Sequence, residues 1–480
     1  MGWQAALVAL TITVADIVAV GHIVLTKQND RSAVAWAGLV LLAPGIGALL
    51  YLVFGVNRIR RRAVSLRAGL PSHRATEVDV HAIEPDAWRA HAPDGCGHLG
   101  PLVHLVGSLS DRALLRGNAV EPLVNGDAAY PAMIAAIDAA ERCVGLSSYI
   151  FNADRVGLRF VDALARAHER GVVVRVLVDA VGERYGWPRR IVSHLRARDV
   201  SAARFLPALA PWNIAFLNLR NHRKILVVDG CVGFTGGMNL KQGHVLDDEP
   251  KHPVRDLHFR LEGPIVAQLT EAFAIDWEFA TSERLATDPW FPEVAEVGPV
   301  AARGVSDGPD ETRERLERVL LGAVSVARER VRIMTPYFVP DEPLMWALET
   351  AARRGVEIDL VLPGANNFAF MTWAAMRRVE RLIAHGARVT FSLPPFDHSK
   401  VMVVDGAWTL IGSGNWDARS LSLNFEFNVE VYDAAFACAV EQLVLERRDA
   451  GQTVDAARLA KRGVLVRVRD GLVRLASPYL

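Results

Sequence analysis

The chain has 480 residues, of which 51% are hydrophobic, and its mean hydropathy of +0.17 is high for a soluble protein. Its 54 basic and 54 acidic residues balance to a net charge of zero, which argues against a general nucleic-acid-binding protein, because such proteins usually carry a basic excess. The four cysteines are widely spaced and form no Cys-x-x-Cys pair, so neither a disulfide framework nor a zinc site is expected.

Two apolar stretches open the chain, Trp3–Leu25 with 23 residues and Ala33–Val56 with 24. Each is long enough to cross a hydrocarbon core of about 30 Å as a helix. A cleaved signal peptide is the alternative for the first stretch, but the basic start of such a peptide is missing and a second apolar stretch follows at once. The short connection between them predicts a transmembrane helical hairpin over residues 1–57, with a kink at Pro44 and Gly45.

Charged residues around the two stretches predict the topology. The second stretch is followed by Arg58, Arg60, Arg61, Arg62 and Arg67, whereas the connection before it carries only Lys27 and Arg31. The positive-inside rule therefore places residues 58 onward on the cytoplasmic side of a bacterial plasma membrane, in a multi-pass protein. Asp16 lies inside the first stretch, where it either contacts the second helix or is protonated or locally hydrated; the latter is favoured.

One motif occurs twice in the soluble part of the chain, with its copies 176 residues apart. Both copies fit H-x-K-x4-D-x6-G-(G/S)-x-N. The fixed positions include His222, Lys224, Asp229 and Asn239 in the first copy, and His398, Lys400, Asp405 and Asn415 in the second. Five fixed positions of this kind arise by chance roughly once in 10⁴ chains of this length. A second copy makes chance a poor explanation.

The two halves resemble each other beyond the motif. Gly171–Val178 is similar to Gly355–Leu362, and each follows a helical run. Tyr149-Ile-Phe matches Tyr337-Phe-Val at the ends of apolar, strand-like runs. Helices and strands alternate in both halves, which indicates α/β layers with largely parallel strands.

Breaks in periodicity divide the soluble part. Prolines and glycines near residues 285–312 predict a boundary between a first lobe, 101–300, and a second lobe, 301–480. Residues 58–100 are polar, have no clear periodicity and are predicted to be a linker. The predicted fold is therefore α/β, with two pseudo-symmetric lobes in one chain behind the membrane hairpin.

The motif predicts chemistry on a phosphodiester anion. Histidine and lysine two residues apart point to the same face of a strand, and Asp-Gly after four apolar residues predicts a hairpin turn. Two copies related by a pseudo-twofold axis would gather two imidazoles and two ammonium groups around one small space. The lysines would neutralise the anion, and Asn239 and Asn415 would donate hydrogen bonds to its oxygens. One imidazole can attack phosphorus while the other protonates the departing alcohol, without a metal or other cofactor.

Both copies resemble the HKD signature of the phospholipase D superfamily, and the resemblance to bacterial cardiolipin synthases covers nearly the whole chain. The segments that carry it are Asp30–Trp36, Leu49–Gly55, Arg220–Lys224, Thr335–Glu342, Asn415–Ser420 and Asn424–Glu426. One segment departs from the family pattern, because Leu240–Val245 replaces the acidic stretch that usually follows the first motif. This departure bears on the choice of acceptor.

The resemblance implies phosphatidyl transfer from one phosphatidylglycerol to another with release of glycerol, through a phosphohistidine intermediate. It implies membrane phosphatidylglycerol and cardiolipin as partners and no nucleic acid, and it leaves the oligomeric state unknown. It also implies that Asp256 and Glu426 orient the histidines, whereas Asp229 and Asp405 of the catalytic motifs support the hairpins and lysines. Ser413 joins the two asparagines as a substrate-binding candidate.

The division of labour between the histidines is a separate expectation. We expect His222 to be the nucleophile and His398 the acid and then the base, with the reverse assignment left open. A hydrolytic phospholipase D would use the same residues with water as acceptor, and phosphatidylethanolamine is an alternative donor. A nuclease is disfavoured by the balanced charge, and a non-catalytic scaffold by the presence of all four motif histidines and lysines.

An apolar loop precedes the first motif. Phe205–Leu219 intersperses large hydrophobic residues with prolines. Either it dips into the bilayer and guides acyl chains toward the site, or it packs on the core between the lobes.

Overall fold

The computed structural model describes residues 2–27, 30–55, 80–186, 190–206, 219–286, 288–308 and 315–475. Its contacts divide the chain into an amino-terminal unit, residues 1–65, and a second unit, residues 66–480. The basic run 58–67 and most of the apolar loop, residues 207–218, lie outside the described residues, so what the sequence predicts for them stays a prediction.

The amino-terminal unit contains one long apolar helix. Helix α1 (Trp3–Thr26) is long and apolar enough to cross a membrane. The second predicted span is not one helix: α2 (Asp30–Leu42) is followed after a turn by α3 (Ile46–Leu50) and a π-helical turn (Tyr51–Gly55). The prediction of two continuous spans is thus not confirmed, since α1 is the one helix of sufficient length in the described part of the chain.

The second apolar segment reverses direction at Gly45. The rings of Trp36 and Tyr51 lie 5.4 Å apart, centroid to centroid, whereas a straight helix would separate these positions by about 22 Å. Gly45 has φ +75°, a conformation that residues with a Cβ rarely adopt, and a Cβ on Gly47 would lie 2.4 Å from the carbonyl oxygen of Leu39. These glycines permit a full reversal where the sequence predicts a kink.

Asp16 binds the tip of this reversal. Its carboxylate oxygens accept the N–H of Gly45 at 3.0 and 3.3 Å. Further along α1, the Nδ1 atom of His22 lies 2.7 Å from the hydroxyl of Tyr51, so the returning segment runs beside α1. Asp16 therefore makes the polar contact that the sequence left as the less favoured alternative. The reason is that a backbone N–H freed by a broken helix needs an acceptor in apolar surroundings.

The second unit begins with the segment before the first lobe and the lobe itself. Their strands are β1 (Ala82–Ile83), β2 (Leu114–Val124), β3 (Cys143–Ser148), β4 (Val173–Asp179), β5 (Ser201–Phe205), β6 (Ile225–Val228), β7 (Val232–Gly236), β8 (Val254–Arg255) and β9 (Leu257–Glu262). Their helices are α4 (Trp88–His91), α5 (Gly100–Leu109), α6 (Asn125–Ala139), α7 (Arg155–Glu169), α8 (Ile191–Arg196) and α9 (Ile265–Thr281). Short 3₁₀ turns lie at Pro85–Ala87, Gly97–Leu99, Gly182–Gly186, Gln242–His244 and Leu246–Asp248.

The second lobe repeats this plan. Its strands are β10 (Val300–Asp307), β11 (Arg330–Met334), β12 (Phe338–Val339), β13 (Glu357–Pro363), β14 (Arg388–Ser392), β15 (Phe396–Asp397), β16 (Val401–Val404), β17 (Trp408–Gly412), β18 (Trp416–Asp417), β19 (Glu426–Tyr432) and β20 (Gln452–Thr453). Its helices are α10 (Arg315–Val326), α11 (Glu342–Arg353), α12 (Ala369–Ala384), α13 (Ala418–Ser422), α14 (Ala434–Ala450), α15 (Ala456–Ala460) and α16 (Val464–Leu475).

A single mixed sheet of 16 strands runs through both lobes. Its order is β5-β4-β3-β6-β7-β9-β2-β10-β19-β17-β16-β11-β13-β14-β20, with β1 beside β2. The antiparallel pair β2–β10 is the centre, and the order outward from it is equivalent on both sides. The parallel pairs β3–β4–β5 and β11–β13–β14 occupy matching places. The predicted α/β class is confirmed, and the matching order agrees with the predicted duplication. The prediction of largely parallel strands is wrong, because the other pairings in this sheet, including both motif hairpins, are antiparallel.

Equivalent local signals begin the crossover helices of both lobes. Asp154 caps α7 by accepting the N–H of Gly157 at 3.0 Å, and Asp341 caps α11 by accepting the N–H of Leu344 at 3.3 Å. Such caps satisfy backbone donors that have no partner within the helix. Each helix then leads into a strand whose apolar run is buried on both faces, as expected for parallel strands under helices.

Residues 80–100 differ from the predicted linker. Strand β1 pairs with β2, and the ring of Trp88 is 5.0 Å from that of Tyr432 in the second lobe. Cys96 and Leu99 are completely buried in the same core. This segment packs through a few irregularly spaced large side chains, so it leaves no periodic signal in the sequence.

Candidate active site

The two motif copies lead into equivalent β-hairpins, β6–β7 and β16–β17. The segments His222–Lys224 and His398–Lys400 lie just before β6 and β16 and not within the strands as the spacing predicts. The turns are at Asp229 and Asp405, both with φ +52°. The Asp-Gly signal therefore identifies the turns correctly.

Asp229 and Asp405 join the hairpin turns to neighbouring strands. The carboxylate of Asp229 accepts the N–H groups of residues 141, 142 and 143 at 2.8–3.0 Å. Asp405 accepts those of residues 328, 329 and 330 at 2.8–3.0 Å, and lies 3.0 Å from Nε2 of His98. Because all their oxygens are engaged with backbone at the far end of the hairpin, these aspartates hold structure and do not reach the cavity described below.

Each motif histidine is paired with a carboxylate from the opposite lobe. The Nδ1 atom of His222 lies 2.9 Å from Oε2 of Glu426, and Nδ1 of His398 lies 2.8 Å from Oδ2 of Asp256. The backbone N–H of each histidine also donates to the carbonyl oxygen of the residue just before the opposing carboxylate, at 2.9 and 2.8 Å. Neither lobe alone contains a complete histidine–carboxylate pair.

Both histidines line one cavity of about 640 Å³. Asn239 and Asn415 line it too, so the structure brings together these four residues from the two motif copies. The cavity lies between two histidine–carboxylate pairs, and Nδ1 of each imidazole is engaged behind it. Nε2 is therefore the ring atom left to act on a bound molecule.

The two motif lysines lie behind the histidines and are almost fully buried. The Nζ atom of Lys224 donates to the carbonyl oxygen of His222 at 2.7 Å, and Lys400 makes the same contact with His398. Burial lowers the pKa of Lys224 to about 7 and that of Lys400 to about 8. Both lysines thus hold their charge weakly until an anion shares the site.

The two carboxylates have different surroundings. Glu426 accepts the hydroxyls of Ser413 and Ser420, both at 2.5 Å, in addition to its contact with His222. In the first lobe the position equivalent to Ser413 is Gly237, where a Cβ would lie 2.1 Å from Oδ1 of Asp256. Ser413 is completely buried, so its hydroxyl serves the carboxylate and not the substrate, contrary to the expectation from sequence.

These surroundings separate the pKa values of the two carboxylates. Burial raises the pKa of Asp256 to about 8, and the charge of Lys400 offsets this only in part. Burial acts on Glu426 in the same direction, but His222, Lys224 and the Ser413 hydrogen bond outweigh it and lower its pKa. Burial lowers the pKa of His222 to about 4, against the opposing effect of Glu426. Both shifts favour an ionised Glu426 beside a neutral His222 at neutral pH.

Sequence reasoning did not assign two tyrosines that flank the histidines. The ring centroid of Tyr149 is 5.1 Å from that of His222, and Tyr337 is 6.5 Å from His398, both edge-on. The sequence contained one signal for them, because the two tyrosines occupy equivalent positions in the two halves. Lys241, from the segment that departs from the family pattern, also lines the cavity.

The buried lysines and Asp256 predict a falling alkaline limb in the pH profile. All three groups must hold a proton for the site to be cationic and to supply an acid, and their pKa values lie at about 7, 8 and 8. We expect kcat/KM to decline as pH rises above about 7, and by pH 9 to fall more steeply than about tenfold per unit, because several groups titrate together. On the acid side the profile should stay flat until His222 becomes protonated at about 4.

The measurement is kcat/KM as a function of pH at constant ionic strength, with folding checked by circular dichroism at each pH. A profile that rises through pH 7–9 would contradict the assignment of these groups as proton-bearing.

Comparisons with known proteins show what the whole chain is similar to. Residues 133–277 and 320–447 match the family described as "Cardiolipin synthase, PLD-like domain", and residues 14–55 match a phospholipase D-nuclease N-terminal family. Cardiolipin synthase A of Pseudomonas aeruginosa (strain LESB58) is 34% identical over 480 residues, covering 99% of this chain and 96% of that protein. Cardiolipin synthase of Clostridium perfringens (strain ATCC 13124) is 28% identical, covering 95% of each.

One solved structure is similar in fold. Phosphatidylserine synthase from Haemophilus influenzae Rd KW20 superposes with a TM-score of 0.62 at 14% sequence identity, covering 79% of this chain and 100% of that chain. At this identity the likeness concerns the fold alone.

Proposed function

Because this chain belongs to the cardiolipin synthase family of phospholipase D-like proteins, we propose that it transfers a phosphatidyl group from one phosphatidylglycerol to another. The products are cardiolipin and glycerol. The observation that carries the proposal is the pair of histidine–carboxylate couples, each drawn from both lobes, on a single cavity. Two such couples suit a reaction in which one group attacks phosphorus and another manages the proton of the alcohol.

The different carboxylates support distinct roles for the histidines. Ionised Glu426 accepts the Nδ1–H of His222, which leaves a lone pair on Nε2, so His222 is the nucleophile. The Asp256–His398 couple holds one more proton at neutral pH. Whether that proton resides on the carboxyl or on the ring, Nε2 of His398 carries a hydrogen, so His398 is the acid. This supports the division of labour expected from sequence.

The reaction then follows two balanced steps. Nε2 of His222 bonds to the phosphorus of the first phosphatidylglycerol, the bond from phosphorus to the glycerol oxygen breaks, and His398 gives that oxygen its proton. In the second step His398 takes the proton of a hydroxyl on the second phosphatidylglycerol, whose oxygen attacks phosphorus as the bond to His222 breaks. Each step restores the protonation state that the other needs.

The remaining polar groups stabilise charge on the phosphoryl oxygens. Lys224 and Lys400 lie beside the histidines, and the approach of a phosphodiester anion raises their pKa values so that both are fully charged in the complex. Asn239 and Asn415 donate to the equatorial oxygens from the cavity wall. Lys241 adds a cation where the second phospholipid would bring its own phosphate, which bears on the choice of acceptor.

The amino-terminal unit supplies a membrane anchor. We place α1 across a bacterial plasma membrane and the catalytic lobes on the cytoplasmic side, next to the arginines that follow residue 57. Support comes from the length and apolar composition of α1 and from the lipid substrate itself.

The test is product analysis by mass spectrometry. Full-length protein in vesicles is given phosphatidylglycerol alone, with a heat-denatured sample as control. Cardiolipin and free glycerol in equal amounts are expected. Phosphatidic acid as the main product would instead assign a hydrolase, because water would then be the acceptor. If phosphatidylglycerol alone gives nothing but added phosphatidylethanolamine gives cardiolipin and ethanolamine, the donor proposed here is wrong.

A further inference from the structure

Helix α16 turns an apolar stripe away from the protein. Its outward side chains are 52–85% exposed, and they are Val464, Leu465, Val468, Leu472 and Leu475. At about 100° per residue these five fall within an arc of about 100° on the helix. A surface helix of a soluble protein normally turns such a stripe toward the core, whereas the stripe of α16 points outward.

Charged groups fix the inner face of α16, and one of them contacts α12. Asp470 is buried and pairs with Arg462, and Arg469 donates to its other oxygen at 2.8 and 3.0 Å. The guanidinium of Arg469 also lies 4.1 Å from the ring centroid of Trp373 on α12. Val473 packs on a small apolar cluster at the start of α12. The orientation of the stripe is therefore fixed by the fold.

Arginines border the stripe on both edges. Arg467 and Arg474 lie on one edge and are exposed, and Arg469 lies on the other. Asp470 is the single acidic residue among Val464–Leu475 and is already paired, so the surface that α16 presents is apolar at its centre and cationic at its borders. This charge pattern is complementary to an anionic phospholipid surface.

The inner face of α16 packs beside the active-site cavity. Val473 and Tyr337 pack against the same apolar cluster, which includes Met371, and both Tyr337 and Met371 line the cavity. Phe368 and Phe370, at the start of α12, also line the cavity and are 42% and 36% exposed. The cavity thus opens next to the helix that carries the stripe.

We propose that α16 lies in the interface of an anionic phospholipid bilayer, with its stripe among the acyl chains and its arginines at the headgroups. It docks the catalytic unit so that phospholipid reaches the cavity along Phe368 and Phe370 without leaving the membrane. The reason for a lipid route rests on the proposed function, but the docking itself rests on the shape and charge of α16.

The test places a fluorophore on the stripe of the full-length protein. Cys231 and Cys438, the exposed cysteines among the four, are changed to serine, and Leu472→Cys is labelled with an environment-sensitive dye. The protein is reconstituted in phosphatidylglycerol-containing vesicles with ordinary or brominated acyl chains. Leu158→Cys on α7 is the matched control, because Leu158 is also an exposed leucine on a helix.

Docking predicts that brominated lipid quenches the dye at position 472 by roughly half or more and leaves the dye at position 158 unchanged. A blue-shifted dye that brominated lipid does not quench would mean that a second copy or another part of the chain covers the stripe. A dye in a water-like environment would mean that nothing covers it. Either result overturns the proposal.

Turnover gives an independent readout. The double variant Val468→Asp, Leu472→Asp is expected to lose at least about tenfold in turnover on bilayer phosphatidylglycerol, while turnover on a monomeric short-chain phosphatidylglycerol stays within about twofold. Leu158→Asp is the control. Equal loss on both substrates would assign α16 a structural role. Quenching at position 472 in a protein that makes no cardiolipin would reject the proposed function and leave the docking intact.

Discussion

Replacing His222 with alanine is expected to abolish cardiolipin formation, by a factor on the order of 10³ or more, because the phosphorus then has no nucleophile. His398→Ala is expected to be as inactive on phosphatidylglycerol, whose glycerol leaves poorly without a proton. The two variants should differ on a phosphodiester with a nitrophenolate leaving group. Nitrophenolate departs without an acid, so His398→Ala should still release about one equivalent in a first turnover, whereas His222→Ala should release none.

The measurement is absorbance of nitrophenolate in the first turnover, together with isolation of phosphorylated protein. His168→Ala serves as the control, because His168 is an exposed histidine on α7. If His222→Ala gives the burst and His398→Ala does not, the roles are reversed. If both variants give it, His222 is not the sole nucleophile and the proposed division of roles is wrong.

Glu426→Gln is expected to reduce kcat by on the order of 10³–10⁴, although the substitution is nearly isosteric. An amide cannot accept from His222, Ser413 and Ser420 as the carboxylate does. When its NH₂ group faces His222, the imidazole takes the tautomer with the hydrogen on Nε2, and the lone pair that should attack phosphorus is lost. The nitrophenyl substrate should not rescue this variant.

Asp256→Asn is the informative partner of Glu426→Gln. It removes the carboxyl group that shares a proton with His398 but leaves the nucleophile His222 unchanged. The burst of nitrophenolate should therefore persist, whereas turnover on phosphatidylglycerol should be lost. Thermal unfolding of both variants separates misfolding from lost chemistry. Equal rescue of both variants, or of neither, would contradict the different roles that the surroundings of Asp256 and Glu426 support.

The sequence predicts the local parts of the site because their signals are local. Asp-Gly after four apolar residues predicts both hairpin turns, and the Gly-x-Asn tail places Asn239 and Asn415 beside the histidines. The parallel strands and crossover helices follow from the alternation of helical runs with apolar, strand-like runs. Each of these features depends on residues within about one turn or strand of one another.

Crossed pairing of histidine and carboxylate does not follow from sequence. Glu426 and His222 are 204 residues apart, and their contact depends on how the lobes face each other across β2 and β10. Ser413 shows a related limit. It occupies the same motif position as Gly237, and only the direction of its buried hydroxyl reveals that it serves Glu426. The sequence does not show in which direction such a side chain points, because that direction is set by the packing of distant segments.

Hydropathy likewise counts apolar residues without reporting the path of the chain. The 24 residues Ala33–Val56 are enough for a membrane span. The reversal at Gly45 halves that reach, and the sequence signal for it, Pro44-Gly45, equally fits a kink in a straight span. Residues 80–100 are the converse case, since an irregular polar segment there is anchored by Trp88.

The reversal at Gly45 also bears on whether the chain would cross a membrane an odd or an even number of times. An apolar segment that turns back at its midpoint would leave a bilayer through the face by which it entered, so it would contribute no crossing, and α1 alone would contribute one. With α1 as the one crossing that we propose, the amino terminus and the catalytic unit would lie on opposite sides of the membrane, whereas the predicted hairpin would put them on the same side. The N–H of Gly45 donates to Asp16 at this turn, so this one carboxylate stabilises the reversal on which that difference depends.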